Sequence, residues 1–96
     1  MASEHVTEWL KERKPKATVR YHGPDDDDIH RWELVFPGDA PPFHLGVPEE
    51  VLDNAGILAE RLMELENQGW LDEAGEQEHL VYLHPMEIAR GPSVWE

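Results

Sequence analysis

Apolar positions at the start of the chain recur three and four residues apart: Val6, Trp9 and Leu10, followed by Arg13. That spacing predicts a short helix presenting a Val6-Trp9-Leu10 stripe to a core. Ser3 is placed to cap it, Glu4 suits its first turn, and Pro15 stops it. The period then changes. Ala17, Val19 and Tyr21 alternate with Thr18, Arg20 and His22, which reads as a half-buried strand over 17–22. Gly23, Pro24 and the aspartates that follow are turn chemistry. From 29 to 36 the alternation resumes, with Trp32, Leu34 and Phe36 on one side and Arg31, Glu33 and Val35 on the other. The two runs predict a β-hairpin whose tip carries Asp25, Asp26, Asp27 and Asp28.

Residues 37–42 form a loop, since three of them are prolines without an N–H. Phe43, Leu45 and Val47 alternate with His44 and Gly46 in a short third strand. Pro48, Glu49 and Glu50 open the main helix, whose stripe runs through Val51, Leu52, Ala55, Leu58, Ala59, Leu62 and Leu65. Gly56 costs about 1 kcal/mol against Ala, which places an expected break near Asp53 or Asn54; Gly69 ends the helix. Trp70 and Leu71 fold back on the core, 72–78 is an acidic loop, 79–84 is a fourth strand stopped by Pro85, 86–90 is a helical turn and 91–96 is a tail. The predicted fold is one acidic α+β domain over residues 1–96, in the order α-β-β-β-α-β. Its antiparallel sheet of about four strands has two helices packed on one face. Thr18, Arg20, His22, Arg31, Glu33, Val35 and His44 are expected on the more exposed other face.

Charge narrows the function more than the pattern does. Asp and Glu number 21 against eight Lys plus Arg, a formal net charge of −13. A surface so negative repels phosphate backbones and anionic membranes and attracts basic partners, so direct nucleic-acid binding and membrane association are not expected. The acid excess and the scarcity of lysine fit two readings: hydration of the surface in a high-salt cytoplasm, or a specific surface for a basic partner. Lys11, Arg13, Lys14 and Lys16 hold half of the positive charge in one spot, a feature that bears on self-association with the acidic remainder. The absence of cysteine excludes disulfides, thiolate nucleophiles, zinc ribbons and iron–sulfur clusters. Apolar runs fall far short of the roughly 20 residues that span a bilayer. The start, Met1 to His5, lacks the cationic and apolar segments of a signal peptide, so a cytoplasmic protein is expected.

The candidate chemistry is sparse. Carboxylate oxygens suit hard cations, but counting from Asp25 the sixth position is His30 and the twelfth Phe36, where an EF-hand loop needs Gly and Glu. The run therefore reads as a solvated turn. His22 and His30 flank it and are expected across from each other, which makes them the candidate ligands of a transition metal. The histidines lack the HxH, HxxxH or HExxH spacing that puts two imidazoles on one face of an element. His79 and His84 have opposite parity and do not converge. Ser3 and Ser93 are the only serines, no nucleophile or phosphate-binding motif is present, and no cofactor is expected. Trp9, Trp32 and Trp70 read as core, and Trp95 as a candidate docking group.

The order α-β-β-β-α over 3–68 resembles the double-stranded-RNA-binding domain, a family that reads RNA with lysines at the start of its last helix. Pro48, Glu49 and Glu50 occupy that position here, with the charge reversed. Leu62, Leu65, Gly69-Trp70-Leu71 and Val81-Tyr82-Leu83-His84-Pro85, within 58–85, resemble the end of a winged-helix domain. That resemblance implies a recognition helix and a two-stranded wing. The helix offers only Arg61 as a base, and the wing loop would be the acidic 72–78. The expected function is a noncatalytic protein-interaction module for a basic, nucleic-acid-binding partner. Asp25 to Asp28, Glu60, Glu64, Glu66, the loop 72–78 and Trp95 are its expected contacts. The alternatives are a cation-binding hairpin and a winged-helix nucleic-acid binder.

Overall fold

Strand alternation and helical stripes come together as one sheet covered on one face. A computed structural model describes residues 2–91. In chain order they form α1 (Ala2–Arg13), β1 (Thr18–Pro24), β2 (Ile29–Val35), β3 (Phe43–Pro48), α2 (Glu49–Leu52), α3 (Ala55–Gln68), a 3-10 turn (Trp70–Glu73), β4 (His79–Leu83) and β5 (Ile88–Gly91). The fold is α+β, as expected. The sheet, however, is mixed and has five strands in the order β1-β2-β3-β4-β5. β1, β2 and β3 form an antiparallel meander, β4 lies parallel to β3, and β5 is antiparallel to β4.

Three expectations are corrected here. The sheet is not wholly antiparallel because α2 and α3 carry the chain back along it. The next strand therefore enters from the same end as β3, as in any β-helix-β crossover. Residues 86–90 contribute a strand rather than a helical turn. His84 N–H donates to the Glu87 carbonyl at 2.8 Å, closing a hairpin that lays Ile88 to Gly91 along β4. Pairing with an otherwise open strand edge outweighs the weak local helix preference. Ser3 also lies inside α1 rather than capping it, and its carbonyl accepts from the Thr7 hydroxyl at 2.9 Å.

The helix break falls where Asp53 and Asn54 place it. Asp53 closes α2, and the Asn54 side chain accepts from the Ile57 N–H at 3.1 Å to cap α3. Gly69 ends α3 in the left-handed region at φ 78°. Val6 and Leu10 of α1, Val51 and Leu52 of α2, and Leu58, Leu62 and Leu65 of α3 pack with Trp32, Leu34, Phe43, Leu45, Val47, Val81 and Leu83 in one cluster. Both long helices thus cover the same face of the sheet. Among the described residues no helix is long and apolar enough to cross a membrane.

On the opposite face the Tyr82 ring lies across Gly46. A Cβ at Gly46 would stand 2.7 Å from Tyr82 Cδ1 and 3.2 Å from the Ile29 methyl. Gly46→Ala is expected to destabilise the domain by about 1–2 kcal/mol. Tyr82→Ala made in the same chain should remove part of that penalty, which a double-mutant cycle of urea midpoints measures.

Candidate functional site

The hairpin tip is built by its first aspartate. Asp25 Oδ1 accepts from the N–H groups of Asp27 (2.8 Å) and Ile29 (3.0 Å), and its Oδ2 accepts from the Arg31 guanidinium at 2.7 Å. The Ile29 N–H is the main cause holding the Asp25 carboxyl below its ordinary value. The Asp27 N–H and Arg31 add to it, and burial opposes it. Asp28 turns the chain in the left-handed region at φ 59°, and its carbonyl accepts from the Glu49 N–H at 2.9 Å. The tip is therefore tied to the start of α2, and the pairing of Ile29 with Pro48 holds the same junction.

This junction creates an arrangement that reading along the chain did not anticipate. Asp27 and Asp28 from the tip meet Glu49, Glu50 and Asp53 from the second helical segment around one open groove of about 370 Å³, floored by Pro48. Among the described residues, Asp27, Asp28, Glu50 and Asp53 make no ion pair; Glu49 lies 3.8 Å from His30 Nε2. The signal was present in two acidic segments, 25–28 and 49–53, but only the β2–β3 register brings them together.

Other acids expected to bind a partner are engaged within the chain. Glu60 Oε2 and Glu64 Oε2 both lie 3.0 Å from the nearly buried Arg61 guanidinium, one on each terminal nitrogen. Glu66 accepts from Arg13 at 2.9 Å, and the Arg13 guanidinium also sits 4.1 Å above the Trp9 ring. Asp25 is occupied as described, and Trp95 lies outside the described residues.

His22 and His30 do not converge. Tyr21 pairs with Trp32, which turns His22 to the opposite face of the sheet from His30, and past the bulge between Tyr21 and Gly23 it is Pro24 that faces His30. His22 Nε2 lies 3.3 Å from Glu33 Oε1 on the exposed face. His30 points to the helix-covered face, with its ring centroid 6.0 Å from that of Tyr21 and 6.4 Å from that of Trp32. Among the described residues, no three His, Asp or Glu side chains are arranged to hold a metal ion.

The basic side chains without an ion pair lie away from the hairpin tip. Lys11, Lys14, Lys16 and Arg20 make no ion pair among the described residues, and Arg13, Lys14, Pro15 and Lys16 rim a groove against Phe36. Lys16 is near Thr18, which pairs with Val35, whereas Asp28 adjoins Ile29 at the far end of β2. A strand of seven residues separates the two ends by about 20 Å.

The chain matches no family model, no curated protein and no solved structure. Neither resemblance drawn from the sequence extends to this site. The chain continues past the α-β-β-β-α order into a parallel strand, and Arg61, the one base on the presumed recognition helix, is 7% exposed and held by two carboxylates.

Proposed function

We propose that this domain is a noncatalytic interaction module of the cytoplasm that captures a partner through a basic surface, occupying the site where that partner would otherwise hold nucleic acid. The observation that supports this reading is the groove of Asp27, Asp28, Glu49, Glu50 and Asp53, whose charge the chain itself leaves largely unanswered. Clustered like charge costs stability through self-repulsion, so a groove of this kind is most favourable when a cationic side chain enters it. Converging carboxylates steer a basic partner and fix its orientation. Of the acids of α3, Glu60 and Glu64 already hold Arg61 and Glu66 holds Arg13, so they contribute only to the long-range field.

A pulldown from native lysate, read by mass spectrometry, tests the reading with paired variants. Asp27→Lys with Glu50→Lys should weaken capture of a basic partner by about tenfold or more, whereas Glu60→Gln with Glu64→Gln should leave capture nearly intact. The wild-type complex should dissociate in 1 M salt, where the screening length is about 3 Å against about 8 Å at 0.15 M. Capture that survives both the charge reversal and the salt removes the groove from the function.

A further inference from the structure

We propose that Tyr21 is a nucleophilic phenol that accepts an acyl group from small activated acyl donors, with His30 as its base and Glu49 orienting His30. The three side chains form a relay. The Tyr21 hydroxyl lies 2.6 Å from His30 Nδ1, and His30 Nε2 faces Glu49 Oε1 at 3.8 Å. His30 Nε2 is buried and makes no hydrogen bond, so the facing carboxylate decides the tautomer. A lone pair on Nε2 would point at a negative oxygen, whereas an N–H there is attracted to it. The proton then resides on Nε2, which leaves the Nδ1 lone pair to accept the Tyr21 O–H. A nucleophile hydrogen-bonded to a base that is itself oriented by a third group is the arrangement that activates hydroxyl nucleophiles.

The surroundings suit that task. His30 is 13% exposed as a side chain, and its ring plane lies only 7° from that of Tyr21. Trp32 packs 4.9 Å from Tyr21 and is anchored by its indole N–H donating to Thr7 at 2.9 Å. Tyr21 itself is 42% exposed and borders a cavity of about 270 Å³ shared with Ser3, Glu4, Thr7, Glu8 and Lys11. Among the described residues Lys11 is the one cation on this rim, and Glu4 and Glu8 beside it disfavour anionic donors, so the class accepted is neutral acyl donors.

In the step itself, the Tyr21 oxygen bonds to the acyl carbon as the bond to the leaving group breaks. The phenol proton passes to His30 Nδ1 and then to the leaving group, which departs protonated. Between these transfers Glu49 faces the imidazolium. No oxidant, reductant or metal is consumed.

N-acetylimidazole is the probe, and the products are O-acetyl-Tyr21 and imidazole. Peptide mapping by mass spectrometry should find Tyr21 acetylated at least about tenfold faster than N-acetyltyrosinamide in the same solution, a modest share of the roughly 10²–10⁴-fold that a positioned base supplies. His30→Gln keeps a hydrogen-bonding group but no base, and should bring the rate down to that of the model compound. Tyr21→Phe should remove the adduct. Unchanged labelling of Tyr82 and an unchanged circular dichroism spectrum report that each variant is folded. If His30→Gln does not fold, Glu49→Gln decides, because Glu49 is largely exposed: a severalfold loss of rate supports the relay, and an unchanged rate overturns it. A Tyr21 no faster than the model compound, or equally fast without the His30 base, also overturns it.

Discussion

Trp32→Ala is expected to cost about 3–5 kcal/mol, the largest loss of any single substitution considered for this chain. Trp32 is fully buried on the sheet's covered face. Its removal opens a cavity that neighbours on two strands and α1 cannot collapse to fill, since Leu34, Leu45 and Val6 belong to the same packed cluster. The indole N–H also donates to Thr7 Oγ1 at 2.9 Å, and that hydroxyl donates onward to the Ser3 carbonyl at 2.9 Å. Trp32 therefore joins β2 to the first turn of α1 by a polar chain as well as by packing. A domain of 96 residues has a total stability of roughly 5–14 kcal/mol, so the substitution removes a large part of it. Trp32→Phe keeps an aromatic ring and loses the N–H, and should cost only about 1–2 kcal/mol. Urea titration measures both, as a drop in midpoint at constant slope. Equal losses for Ala and Phe would mean that the hydrogen bond, not the ring, carries the contribution.

Asp25→Ala is expected to cost about 1.5–3 kcal/mol, although the residue sits on the surface at the tip of a hairpin. Its carboxylate accepts from two backbone N–H groups and from Arg31, and no other side chain replaces it at the Asp27 and Ile29 N–H groups among the described residues. Asp25→Asn keeps an acceptor for the backbone and loses the charge facing Arg31, so its cost should be the smaller. The loss also depends on pH with a definite sign. Hydrogen bonds from the Ile29 N–H above all, and from Asp27 and Arg31, lower the folded-state pKa of Asp25. The stabilisation is complete above the unfolded value of about 3.9 and is lost as pH falls through the lower folded value. The gap between wild type and Asp25→Ala should therefore be constant from neutral pH to about 5 and close in stronger acid. A gap that widens in acid would show that the carboxylate is not the stabilising species. Because Asp25 holds the turn that carries Asp27 and Asp28 to α2, Asp25→Ala should also weaken capture of a basic partner at neutral pH.

Much of the fold can be read from local pattern. Alternation at 17–22 and 29–36 places the first hairpin, Asn54 and Gly69 bound the long helix, and the stripe through Leu58, Leu62 and Leu65 faces the core. These features are legible because each residue's neighbours in sequence already decide which side meets water, with a period of two for strands and 3.6 for helices. The acid excess likewise argues against anionic ligands without reference to shape.

The remainder depends on contacts between segments that share no local pattern. The direction of β4 follows from the crossover of α2 and α3, and β5 exists because β4 presents an edge to pair with. The pairing of Tyr21 with Trp32 puts His22 beside Glu33 on the exposed face and His30 beside Tyr21 on the covered face, which dissolves the expected metal pair and brings Tyr21, His30 and Glu49 together. The groove arises because β2–β3 register sets Ile29 beside Pro48, so that acids some twenty positions apart along the chain share one opening. Composition reported how much negative charge the molecule carries. Glu60 and Glu64 meet Arg61 as neighbours on one helix, whereas Glu66 reaches Arg13, and Asp27 and Asp28 reach Glu49, Glu50 and Asp53, only through tertiary contacts, because Coulomb energy depends on distance in space and not along the chain.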